Sequence, residues 1–131
     1  GGVLLTQVIR TKRQGEKGFV IVDAGMSELL RPTLYQAYHA IRPVRQADDA
    51  VTSPVDVVGP ICESGDFLAK GRDLPAVEAG DLLAVMDVGA YGFAMSSNYN
   101  GRVKAAEVLV NGDGFRVVRG RQTYKALLDG C

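Results

Sequence analysis

The stretch Gln14-Gly15-Glu16-Lys17-Gly18-Phe19-Val20-Ile21-Val22 decides how the fold is read. Gly15 to Gly18 is turn-forming, and Phe19 to Val22 is a short apolar run rich in β-branched residues. Upstream, Val3 to Arg13 mixes apolar and polar residues in short alternation, with Val8, Arg10 and Lys12 set against Leu5 and Ile9. Two half-buried strands joined by a tight turn explain both halves, so a β-hairpin is expected here.

The same texture runs outward along the chain. Asp23-Ala24-Gly25 breaks the sheet, and Ser27 is placed to cap a short helical turn ended by Arg31-Pro32. Pro32 equally suits the start of a second turn carrying Leu34, Tyr35 and Tyr38. His39 to Val44 reads as extended, Gln46 to Ser53 as a polar loop, and Val55 to Val58 as a strand closed by Gly59-Pro60. A strand follows from Phe67 to Lys70, and Gly80-Asp81 introduces the strongest one, Leu82 to Met86. Ala106 to Val110 and Phe115 to Arg119 flank Asn111-Gly112-Asp113-Gly114, a hairpin signal. Thr123 to Leu128 reads as a closing helix stopped by Gly130. Many short strands with glycine-rich turns and a few short helices predict a mainly β, antiparallel sandwich or barrel. No repeat or low-complexity tract divides the chain, so residues 1–131 are expected to form one domain.

Composition narrows the classes of function. Lys plus Arg and Asp plus Glu are 15 each, which gives no net charge to draw nucleic acid or an acidic membrane. Basic residues gather at Arg10, Lys12, Arg13 and Lys17 and again at Arg116, Arg119 and Arg121, where a solvated strand face explains them. No apolar run nears the about 20 residues that span a bilayer. The two cysteines, Cys62 and Cys131, lie far apart and suggest neither a disulfide framework nor a metal site, so a cytoplasmic setting is expected. The chain begins Gly1-Gly2-Val3, without an initiator methionine, and reads as a piece of something longer.

Four clusters place polar groups where a packed β-core has no use for them. In Gly59-Pro60-Ile61-Cys62-Glu63-Ser64-Gly65-Asp66 a thiol stands beside carboxylates on a turn fixed by Pro60 and Gly65. A free thiol titrates near ~8.5, and neighbouring carboxylates favour its protonated form, which suits a proton donor; a buried small cysteine in a turn is the structural reading. In Asp87-Val88-Gly89-Ala90-Tyr91-Gly92-Phe93 glycines let the backbone approach a ligand and Tyr91 offers a hydroxyl, or Tyr91 is a core residue on a tight bend. In Leu30-Arg31-Pro32-Thr33-Leu34-Tyr35 the Arg31 guanidinium is a fork suited to a carboxylate, or simply a surface arginine. Ser96 to Arg102 is a polar loop without a signature of its own. His39 is the single histidine and reads as structural, since no triad or zinc set surrounds it.

Taken in order, these clusters resemble diaminopimelate decarboxylase. The likeness is carried by Asp23 to Met26, by Leu30 to His39, by Gly59 to Asp66, by Gly80-Asp81 and by Val88 to Asn100, and it extends over almost the whole chain. The resemblance implies the family's C-terminal β-domain, with Greek-key topology. Its partner in the same enzyme, a (β/α)8 barrel, is not part of this sequence. It implies conversion of meso-2,6-diaminopimelate to L-lysine and CO2 with pyridoxal 5'-phosphate, in a homodimer with active sites at the subunit interface. Cys62 is then the proton donor. Arg31, Tyr35, Glu63 and Tyr91 bind substrate, Tyr91 also touches the cofactor phosphate, and Cys62 and Glu63 act in the partner subunit's site. The Schiff-base lysine, the glycine-rich phosphate loop and a Glu-Pro-Gly-Arg segment belong to the family's barrel. No lysine here has a context that assigns it that role, so this piece alone is expected to be inactive.

Two other readings stand beside this one. Related decarboxylases of ornithine, arginine or carboxynorspermidine share the fold, but those acting on basic amino acids typically carry Asp rather than Glu after the cysteine; Glu63-Ser64-Gly65 with Arg31 favours diaminopimelate. A non-catalytic β-barrel binding module is the alternative from another class.

Overall fold

The structure, a computed structural model, describes residues 2–25, 28–29, 32, 38–46, 51–60, 66–89, 96–97 and 104–125. Its strands are β1 (Val3–Gln14), β2 (Lys17–Val22), β3 (Ile41–Pro43), β4 (Thr52–Val58), β5 (Phe67–Pro75), β6 (Leu82–Met86), β7 (Glu107–Asn111) and β8 (Gly114–Arg119). The first six form one sheet in the order β3-β6-β1-β2-β4-β5, and β7 and β8 form a separate hairpin.

The expected β1–β2 hairpin forms, pairing Gln14 with Lys17 and Thr11 with Val20. In β2 every second residue, Gly18, Val20 and Val22, turns inward. Leu83 and Val85 do the same in β6, and with Val8, Val57, Leu68, Leu74, Ile41 and Leu29 they fill the interior. This period of two is what a sheet wrapped around a single core demands. In β1 Thr6 and Val8 point in, while Leu5 and Ile9 face outward, and the buried Thr6 hydroxyl is bonded to Asp23 and Ala24 N–H.

The sheet curls into a nearly closed barrel. Its free edges, β3 and β5, meet at a seam latched by a side chain: Arg72 of β5 donates through Nη1 to the carbonyl of His39, just before β3, at 2.7 Å. The same guanidinium lies 4.1 Å from the ring centre of Tyr38, a cation–π contact. All ladders of this sheet are antiparallel except β2–β4, which is parallel.

Two strands run longer than the sequence suggests. β4 begins at Thr52 and includes Pro54, which precedes Val55 and the first pairing with β2, so the missing N–H falls where that side of the strand is still an edge. β5 continues through Gly71 to Pro75. Gly71 sits at φ 59, a left-handed conformation that glycine adopts without strain, opposite a register shift between Val55 and Val57. The buried Asp56 carboxylate closes this bulge by accepting Gly71 N–H at 2.9 Å and pairing with Lys17 at 3.0 Å.

The basic residues named above are exposed, as expected for solvated strands. Tyr124 and Lys125 are helical directly after Thr123, and residues 126–128 of the expected helix lie outside the described residues. Among the described residues no helix is long and apolar enough to cross a membrane.

Candidate active site

The five candidate residues, Arg31, Tyr35, Cys62, Glu63 and Tyr91, all lie outside the described residues. What the structure does describe is the frame from which their segments depart. The register of the sheet puts every departure point on one rim of the barrel. β2 ends at Val22 beside Val8 of β1, and β4 ends at Val58 beside Ile21. Val58 also faces Phe67, where β5 begins. β6 ends at Met86 beside Val3, and β3 starts at Ile41 opposite Val85. The segments between β2 and β3, between β4 and β5 and after β6 therefore all leave from one end.

Each anchor has its own bonding. After β2, the Asp23 carboxylate accepts the Thr6 hydroxyl at 2.6 Å and Gln7 N–H at 2.9 Å. Thr6 Oγ1 in turn accepts Ala24 N–H at 3.0 Å. Glu28 and Leu29 N–H both donate to the Gly25 carbonyl, at 3.0 and 2.9 Å, and the Glu28 carboxylate accepts Gly25 N–H at 3.0 Å. This turn buries Leu29 and opens the segment that carries Arg31 and Tyr35 in the sequence.

The cysteine cluster is bounded as tightly. Gly59 N–H donates to the Asp66 carbonyl at 3.0 Å, closing the loop from Pro60 to Gly65 at its base. The Asp66 side chain is buried and packs against Gly25 and Gly59. A Cβ on Gly59 would lie 2.6 Å from the Asp66 carboxylate oxygens and 2.7 Å from Gly25 Cα. The turn after β2 and the base of the cysteine loop are thus in direct backbone contact, which only residues without side chains permit.

After β6, Asp87 takes φ 58, a left-handed conformation more accessible to Asp than to most residues. Val88 N–H then donates to the Gly2 carbonyl at 3.1 Å, and a Cβ on Gly2 would lie 2.7 Å from Gly89 N. Gly89 stands two residues before Tyr91.

An open groove of about 730 Å³ borders this rim, lined by Glu28, Leu29, Val88 and Gly89 and by Val108 and Val110 of the outer hairpin. Another, of about 600 Å³, opens at the opposite end among Pro43, Arg45, Pro75 and Asp81. None of these three segments departs from that end, so the rim groove is the one that bears on chemistry. Gly80-Asp81 is a turn there, with the Asp81 carboxylate accepting Glu78 N–H at 2.8 Å.

Sequence reading passed over Thr6 and Asp23 as site-supporting residues. The available signal was a threonine at an inward position of an otherwise apolar strand face. His39 is buried, as its structural reading required.

Residues 1–89 match the family model described as pyridoxal-dependent decarboxylase, C-terminal sheet domain. A diaminopimelate decarboxylase of Pseudomonas fluorescens is 59% identical over 98% of this chain and 30% of its own length. A crystal structure from Aquifex aeolicus superposes with TM-score 0.94 at 49% identity, covering 98% of this chain and 32% of that one. Diaminopimelate decarboxylase of Helicobacter pylori complexed with L-lysine superposes with TM-score 0.89 at 47% identity, over 97% of this chain and 31% of that one. The chain spans about 30% of the length of the curated relatives it matches. This chain belongs to the C-terminal sheet domains of the pyridoxal-dependent decarboxylases.

Proposed function

We propose that this chain is part of a diaminopimelate decarboxylase, contributing the proton donor and substrate contacts for conversion of meso-2,6-diaminopimelate to L-lysine and CO2. The observation that carries this reading is 59% identity across 98% of the chain to a relative of that name. The shared rim supports it physically, since the three segments that carry the Arg31, Cys62 and Tyr91 clusters in the sequence all depart from it.

Pyridoxal phosphate, when bound, serves as the electron sink for the pair left behind when the carbon–carbon bond breaks. Covalent attachment of that cofactor requires a desolvated lysine amine. Lys17 instead pairs with Asp56, with its side chain largely exposed, and Lys70 is exposed with its amine 4.5 Å over the Phe67 ring. Neither fits that task, and the resemblance to diaminopimelate decarboxylase assigns attachment to the (β/α)8 barrel domain of the same enzyme. The contribution of this chain is binding and proton delivery. Arg31 pairs with a substrate carboxylate through its planar fork, Glu63 meets an ammonium group, and Tyr35 and Tyr91 position the substrate, Tyr91 also reaching the cofactor phosphate. After CO2 departs, the Cys62 S–H donates its proton to the carbon that lost the carboxylate, and solvent restores the thiol.

Cys62 and Glu63 serve the active site of the partner subunit in a cytoplasmic homodimer. Exposed apolar side chains outside the core, among them Val110 and Phe115 of the outer hairpin, give the rest of the enzyme a surface to cover. Assay of the complete enzyme on meso-diaminopimelate and on ornithine tests the reading. CO2 release from the former is expected, and release from ornithine alone would transfer the chain to the basic amino acid decarboxylases.

A further inference from the structure

We infer that His39 is a positioning residue for substrate binding, clamping the end of the Tyr35 segment onto the strand that leads to Tyr91. The inference rests on the decarboxylase reading above. His39 is four residues beyond Tyr35, and Met86 is five before Tyr91. The His39 ring nitrogen Nδ1 lies 2.9 Å from the Met86 carbonyl. A carbonyl only accepts, so Nδ1 carries the proton that it donates to Met86. The backbone adds to the clamp: Met86 N–H donates to the Ala40 carbonyl at 2.8 Å, and the His39 carbonyl accepts Arg72 at 2.7 Å. One residue thereby joins the segment before β3, the exit of β6 and, through Arg72, the strand that follows the cysteine loop.

A residue selected for packing alone would not carry what lies on the other side of the ring. Nε2 is buried without a hydrogen-bond partner among the described residues, and His39 is 2% exposed. Buried polar atoms are nearly always satisfied, and an apolar side chain of similar size would avoid the cost. What the imidazole adds over an apolar side chain is its Nδ1–H bond, and that bond fixes where the Tyr35 segment ends and the Tyr91 segment begins.

Asparagine and glutamine separate this role from packing. The Asn amide nitrogen is as many bonds from Cα as Nδ1, whereas that of Gln matches Nε2. The test uses the complete enzyme, with kcat and KM for meso-diaminopimelate referred to the fraction carrying pyridoxal phosphate, read by absorbance. His39→Asn is expected to stay within about threefold of wild type, the donor to Met86 being kept. His39→Gln is expected to raise KM about tenfold, the scale of one lost buried hydrogen bond, with kcat little changed, because binding lost equally from ground and transition states appears in KM. Equal impairment of both variants, or an unchanged KM in His39→Gln alongside a lower melting temperature, overturns the inference. If His39→Gln does not fold, Arg72→Met replaces it: a raised KM supports the clamp and an unchanged KM overturns it. An inactive wild type sinks the decarboxylase reading and this inference with it; an active wild type with unaffected variants sinks this inference alone.

Discussion

Gly59 and Gly25 meet backbone to backbone across the barrel rim, so closely that a Cβ on Gly59 would sit 2.7 Å from Gly25 Cα. Between them lies the buried carboxylate of Asp66, whose oxygens occupy the space that either side chain would need. The turn after β2 and the base of the cysteine loop are held as one unit by this contact.

Gly59→Ala is therefore expected to destabilise the fold by ~1–3 kcal/mol, the usual cost of forcing atoms into a packed site. Urea unfolding measures it, and Gly120→Ala, where no atom lies within 4 Å of the added Cβ and φ is not positive, is the control without a steric clash. Equal losses at the two positions would refute the close-contact account.

Arg72 latches the barrel seam through the His39 carbonyl and the Tyr38 ring. Arg72→Met keeps much of the side-chain stem and removes both interactions, so a loss of ~1–3 kcal/mol is expected in thermal or urea melts. Retained stability would mean that β3 and β5 are held by packing alone.

Asp56 is buried at the β4–β5 bulge with Lys17 and Gly71 N–H as partners. Lys17→Met leaves the carboxylate with one of those two partners, and a loss of ~1–3 kcal/mol follows from leaving a buried charge under-compensated. Lys12→Met, on an exposed strand face, is the control and should change stability by less than ~0.5 kcal/mol.

Legibility of the fold followed the locality of its causes. The two hairpins and β6 were readable because alternation and turn chemistry act over a few residues. The continuation of β5 through Gly71 was hidden, since its bulge is sealed by Asp56, 15 residues away. The parallel β2–β4 pairing has no local signature either. For the site, the clusters could be picked out by their chemistry, but their convergence on one rim is a property of sheet order and register. The Thr6–Asp23 network and the His39–Met86 bond span 17 and 47 residues, beyond any pattern a strand or turn displays.

The chain by itself, given pyridoxal phosphate and meso-diaminopimelate, is expected to release no CO2, because Lys12, Lys17, Lys70 and Lys125 are exposed and Lys104 is half-buried, none of them enclosed in a desolvated pocket. Its exposed apolar hairpin should also promote self-association, visible by light scattering and reduced in Phe115→Lys. Turnover by the 131-residue chain would contradict the division of labour proposed here.

The most direct test replaces the thiol. In the complete enzyme, Cys62→Ala should lower the rate of lysine formation from meso-diaminopimelate by about 10²–10⁴-fold, the range of a lost acid–base group, while cofactor absorbance and melting temperature stay near wild type. A Cys62→Ala enzyme that makes lysine at the wild-type rate would contradict the account.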